Sequence, residues 1–162
     1  MLKSIINPDL YHGRRKDRNF FEGWYFKLVT KDMKHSFAII PGIFKGSTAE
    51  ESHSFIQVLD GDNLNYNYIR YNSNLFYSDR TSMCITIQNN NFSLSGIKIN
   101  LEEPSVSVIG NINFKSIFKW PDTLLNPGSM GFYNYLNFMQ CYSQVCVMNM
   151  DLVGSLTING EP

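Results

Sequence analysis

The chain has 162 residues, a formal net charge of zero and a charged fraction of 17% against 14% aromatics. A chain of this length buries a sizeable core, and so few charges among so many rings exclude a disordered segment. The neutral balance gives no footprint for nucleic acid, and no run of eighteen apolar residues offers a membrane-spanning helix.

Residues 1 to 18 read as an irregular arm punctuated by Pro8, Gly13 and the basic cluster Arg14, Arg15, Lys16 and Arg18. The cluster reads as a solvated loop. The start of the chain lacks the long apolar run of a signal peptide, so a cytoplasmic location is expected.

Phe20 to Thr30 reads as a long strand. Its even positions are Phe20, Glu22, Trp24, Phe26 and Leu28; its odd positions are Phe21, Gly23, Tyr25, Lys27 and Val29. Aromatics on both faces suit a barrel wall, with one face to a cavity and the other to a second layer. Lys31–Lys34 is a polar turn. Ser36 to Phe44 is strand-like, with a bend or bulge expected at Pro41-Gly42, because proline cannot donate to a ladder.

Ser52 to Leu59 is the next strand, and Asp60-Gly61-Asp62-Asn63 is a hairpin signal. Short strands follow at 64–71, 75–78, 83–88, 92–95, 97–101 and 105–114, with turns at Asn72–Asn74, Asn89–Asn91, Gly96 and Glu102–Pro104. The pattern changes near Trp120-Pro121-Asp122, and Asn126-Pro127-Gly128 is a turn. Phe132 to Met139 fits a short helix, within 131–140, or an aromatic strand. Ser143 to Met150 and Leu152 to Ile158 read as a closing hairpin, broken near Asp151 and Gly154. The fold class is all-β: an antiparallel meander forming a lipocalin-like barrel or open half-barrel, with 19–162 as one β-domain.

No strong catalytic motif occurs: no G-x-S-x-G, Walker loop, GxGxxG or H-E-x-x-H. Cys84, Cys141 and Cys146 are odd in number and lack C-x-x-C spacing, so they read as free thiols. His12, His35 and His53 share no metal-ligand spacing, and neither metal nor cofactor is expected.

Glu22 is the one carboxylate within an aromatic strand. Burial raises a carboxyl pKa, and a neutral acid in an apolar pocket is a general acid; the alternative is a structural Glu that pairs with Lys27, an Arg or backbone amides. Asp151, between Met150 and Leu152, is a weaker case of the same kind. His53 reads as a cavity polar group or a strand-end residue. Tyr11, Tyr25, Tyr133, Tyr135 and Tyr142 offer hydroxyls to a phenolic or quinol ligand, or simply pack.

Tyr11-His12-Gly13, Arg14-Arg15 and Phe20-Phe21-Glu22-Gly23-Trp24-Tyr25-Phe26-Lys27 together resemble the opening of the tocopherol cyclase-like family. Asn126–Phe132, Gln144-Val145-Cys146-Val147-Met148 and Gly154 are similar to a later stretch of that family. At Gln140-Cys141-Tyr142-Ser143 the chain lacks the His and acidic residue of the plant cyclases. Family members are longer and continue into another β-domain, so the resemblance implies an N-terminal half that needs its partner half.

The resemblance implies a lipocalin-like fold and acid-catalysed ring closure of a prenylated quinol or other apolar substrate. It equally accommodates a lipid- or pigment-binding protein without catalysis. Glu22 is then the candidate acid, with Trp24, Tyr25, His53 and Tyr142 as candidate ligand-binding residues. The expected partner is an apolar small molecule, not nucleic acid; no segment crosses the membrane, and peripheral contact with one stays open.

Overall fold

The aromatic stretch from Phe20 alternates between buried or half-buried and exposed residues without interruption to Val29, and that period of two makes it a strand. In the computed structural model, which describes residues 9–121, 123, 125, 127–136 and 141–161, it forms β1 (Phe20–Gly23) and β2 (Phe26–Val29). Both pair antiparallel with β3 (Ser36–Lys45) in one unbroken register, Gly23 opposite Gly42 and Phe26 opposite Ile39. The interruption at Trp24-Tyr25 has a simple cause. Trp24 N–H donates to the Pro41 carbonyl at 3.0 Å, but Pro41 has no N–H to return. The expected irregularity at Pro41 therefore falls on the neighbouring strand, and β3 itself runs straight through.

The meander continues with β4 (His53–Asp60) and β5 (Asn65–Asn72), giving a first sheet ordered β1/β2, β3, β4, β5. The Asp60 carboxylate ties the intervening turn. It accepts from Asp62 N–H at 2.9 Å, Asn63 N–H at 3.1 Å and the Asn63 amide at 2.8 Å, and these bonds lower its pKa, the Asn63 side chain most. A 3-10 turn, Ser73–Leu75, then carries the chain into a second sheet. That sheet is β6 (Phe76–Ser78), β7 (Cys84–Ile87), β8 (Asn90–Ser93), β9 (Gly96–Glu103), β10 (Val106–Lys119) and β11 (Val147–Ile158), each beside the next.

The inner faces of the two sheets meet in one core. Phe26 of the first sheet sits 6.0 Å from both Phe92 and Phe114 of the second. Ile39, Ile56, Ile85, Ile97 and Val108 are sealed around it. Each such side chain contributes about 1.5–3 kcal/mol by leaving water.

Among the described residues the sheets do not close into a barrel, and no α-helix is present. The meander makes an open half-barrel, with the outer edges of β2 and β11 unpaired among the described residues.

Three sequence expectations change. The turn placed at Asn89–Asn91 sits at Gln88-Asn89, with Gln88 at φ 54°. Asn90 instead opens β8 and is buried; its amide donates to Ile87 O at 3.2 Å and its oxygen accepts from Asn100 N–H at 2.8 Å. The strand expected to end at Phe114 runs on to Lys119, with register shifts between Lys115 and Lys119. The expected closing hairpin is one strand, β11, which passes unbroken through Asp151 and Gly154. Gly154 continues it because glycine reaches φ +144°, where a Cβ would stand 2.1 Å from Asn111 O.

The stretch that fitted a helix or a strand begins as a 3-10 helix, Gly131–Tyr135; its residues 137–140 lie outside those described, as do Asn126 of the expected turn and residues 1–8 of the arm.

Candidate functional site

The unpaired edges of β2 and β11 face each other across a cleft of about 1790 Å³. Its floor follows from the alternation of β1 and β2. Trp24, Phe26 and Leu28 fall on the buried face, and Ile112 and Phe114 of β10 complete an apolar surface. Half-buried Met150 and Leu152 line the β11 side. The segment Tyr142–Cys146 forms the rim. Ser129 N–H donates to the Gln144 side-chain oxygen and Val145 N–H donates to Ser129 Oγ, both at 3.1 Å, and Ser143 N–H meets the Met130 sulfur at 3.0 Å.

One end of this floor meets a polar cluster built by the N-terminal arm. Tyr11 packs edge-on to Phe76 at 5.1 Å, and 6.1 Å from both Phe20 and Trp24, so it spans the two sheets. The arm is pinned on both sides: Lys45 Nζ donates to Gly13 O at 2.8 Å, and the Arg14 guanidinium donates to Ser78 O at 2.9 Å and to Asp79 O. Arg14, expected in a solvated loop, is thus a bridge to the second sheet.

Glu22 lies on the inner face, two residues before Trp24, with its side chain 17% exposed. Its partner is His12. The His12 ring Nδ1 lies 2.6 Å from Oε1, and the His12 backbone N–H donates to Oε2 at 2.9 Å. With Glu22 ionised, Nδ1 carries the proton of this contact; with Glu22 neutral, its carboxyl O–H donates to Nδ1. A contact of 2.6 Å is in the charge-assisted class, and such a pair can hold a proton and pass it between carboxyl and imidazole. Burial, and next the Glu22 charge, push the neighbouring Tyr11 hydroxyl up to about 12.

The other candidates separate. Trp24 is buried and is the wall shared by the cleft and the arm. Tyr25 borders the cleft, but alternation puts its side chain on the outer face, 62% exposed. Tyr142 stands on the rim, its hydroxyl donating to Leu136 O.

His53 is on the outer face of the first sheet, away from the cleft. Its Nε2 is 2.8 Å from the Tyr68 hydroxyl, and its Nδ1 is 2.8 Å from Glu51 O and 3.1 Å from Arg70. Asp151 of β11 and Cys146 of the rim line the cleft. Cys84 and Cys141 are free thiols, and no cluster of metal-ligating side chains occurs among the described residues.

Sequence reasoning missed His12 as the partner of Glu22, and Phe26, Leu28 and Phe114 as floor. The floor residues of β2 were readable, because they share the parity of Trp24. The His12 contact depends on how the arm folds back, which no local pattern encodes. No protein-family model, curated protein or solved structure matches this chain.

Proposed function

We propose that this chain works as a tocopherol cyclase-like protein that takes an apolar molecule (a prenylated quinol, lipid or pigment) into the cleft between β2 and β11. One observation carries the reading. Gly23–Lys27 and Gln144–Met148, the parts of the chain that resemble that family, lie far apart in sequence yet line opposite sides of one cleft. The cleft joins an apolar floor to polar walls that include Lys27, His35, Asp62 and Gln144; an apolar surface with polar groups around it is the make-up of a small-molecule site, and its volume suits a long prenyl or acyl chain.

In the catalytic form of this reading the Glu22–His12 pair supplies a proton to the prenyl alkene. The tertiary cation that forms is stabilised by the faces of Trp24 and Phe26. The phenol oxygen then bonds to the cationic carbon and its proton returns to the pair, so the reaction is an isomerisation that consumes nothing. Glu22 is the acid, and His12 positions it and shares its proton.

A second reading, a carrier without catalysis, is favoured by a different observation. Both Glu22 oxygens are taken up by His12, and the cleft lining begins one residue later, at Gly23.

Incubation of the protein with a lipid extract, then mass spectrometry of what co-purifies, tests the readings together. A rearranged, isomeric product that Glu22→Gln fails to make supports the cyclase. Unchanged lipid with both proteins supports the carrier. No bound lipid with either refutes both.

A further inference from the structure

The outer face of the first sheet is not an ordinary solvated face. Phe55 lies over Gly42, where a Cβ would stand 2.1 Å from its ring. Two rings cover Phe55, Phe21 stacked at 5.6 Å and Tyr68 at 5.1 Å. Phe55 is fully buried by this cover, but the cover itself is in solvent. Phe21 is 60% exposed, and Tyr25 and Tyr66 on the same face are 62% and 57% exposed. Single exposed rings need no explanation, but a contiguous patch marks an interaction surface.

The charge on this face has one sign. Lys27 and Arg70 are exposed among the rings. The described strands β1–β5 contain two carboxylates, Glu22 and Asp60, and alternation puts both on the inner face, bound to His12 and to Asn63.

We propose that this face docks the protein on an anionic lipid bilayer. Tyrosine rings and basic side chains are the residue types that settle at the headgroup level, and strands β1–β5 present no carboxylate on this face. Strand β2 gives the docking a consequence: Tyr25, Lys27 and Val29 face the bilayer while Trp24, Phe26 and Leu28 face the cleft. Docking thus brings the β2 side of the cleft to the phase in which apolar molecules dissolve. That consequence rests on the proposed function; the docking itself does not.

The test is flotation of the full chain with vesicles of phosphatidylcholine alone and of phosphatidylcholine mixed with phosphatidylglycerol. Partition to the anionic vesicles is expected, falling with added salt. Lys27→Gln and Arg70→Gln should each weaken it about fivefold, the value of one juxtamembrane cation. Phe21→Ser and Tyr66→Ser should weaken it as well. Binding of cis-parinaric acid, read by its fluorescence without vesicles, should be unchanged in Phe21→Ser, Tyr66→Ser and Arg70→Gln, which also shows that these variants are folded.

No partition, equal partition to neutral vesicles, or partition indifferent to these four substitutions would overturn the proposal. So would a concentration-dependent dimer broken by the same substitutions, which would assign the face to a second copy. Vesicle partition without cis-parinaric acid binding would instead remove the cleft reading and leave the docking intact.

Discussion

Substituting Glu22 by Gln tests the contact that joins the arm to the first sheet. The carboxylate takes two hydrogen bonds from His12, one to the ring at 2.6 Å and one to the backbone at 2.9 Å. The amide keeps an acceptor for one of them and loses the charge. A hydrogen bond to a charged group is worth about 1.5–3 kcal/mol, and the His12 side chain is 37% exposed, which places the loss towards the lower end, about 1–2 kcal/mol, after screening. For a domain of this size that lowers Tm by roughly 2–8 °C.

Urea unfolding of wild type, Glu22→Gln, His12→Ala and the double variant completes a cycle. The coupling should exceed about 0.5 kcal/mol, the limit for independent sites, and limited proteolysis should cut the arm between Tyr11 and Arg18 sooner in each single variant. Additive losses with an unchanged proteolysis rate would refute the clamp. Retained turnover of a prenylated quinol by Glu22→Gln would refute its role as the acid.

Three further outcomes are expected. Phe26→Ala should cost about 3–5 kcal/mol in chemical unfolding, because it empties the contact between both sheets, and it should also weaken cis-parinaric acid binding. Gly154→Ala should cost about 1–3 kcal/mol of backbone strain, seen as faster hydrogen exchange along β10 and β11; equal exchange would show that β11 does not pass through that glycine as described. The raised pKa of Tyr11 ties stability to alkaline pH. The unfolded chain releases this proton near 10 and the folded one near 12, so the contribution is complete below pH 10 and is lost as pH rises through 12. Thermal unfolding across that window should fall less steeply in Tyr11→Phe.

The strands were legible where burial alternates cleanly. Phe20 to Val29 shows this best, since its parity alone assigns Trp24, Phe26 and Leu28 to the interior. Punctuation misled where a breaker residue serves an extended strand. Gly154 looks like the end of a strand, yet it is what lets β11 continue beside Asn111. Asn90 looks like a turn residue, but it is buried and bonds Ile87 and Asn100. Lys115 to Lys119 carries little apolar pattern and is held by pairing with β11, a partner that local sequence does not reveal.

The site was half legible. The aromatic strand pointed to Glu22 and Trp24, and the meeting of Gly23–Lys27 with Gln144–Met148 needed the whole meander. His53 looked like a cavity residue because it opens an apolar strand. Its odd parity in β4 places it instead beside Phe55 and Tyr68 on the outer face.

The central claim is that an apolar chain lies in the cleft against Trp24. The protein has two tryptophans, Trp24 and Trp120, and Trp24 is the one in the cleft lining. A Trp120→Phe variant therefore reports on the cleft alone. Titration with a brominated long-chain hydrocarbon should quench its fluorescence to saturation, and Leu28→Asp should abolish the effect. Emission that stays constant while the protein is folded would contradict the account.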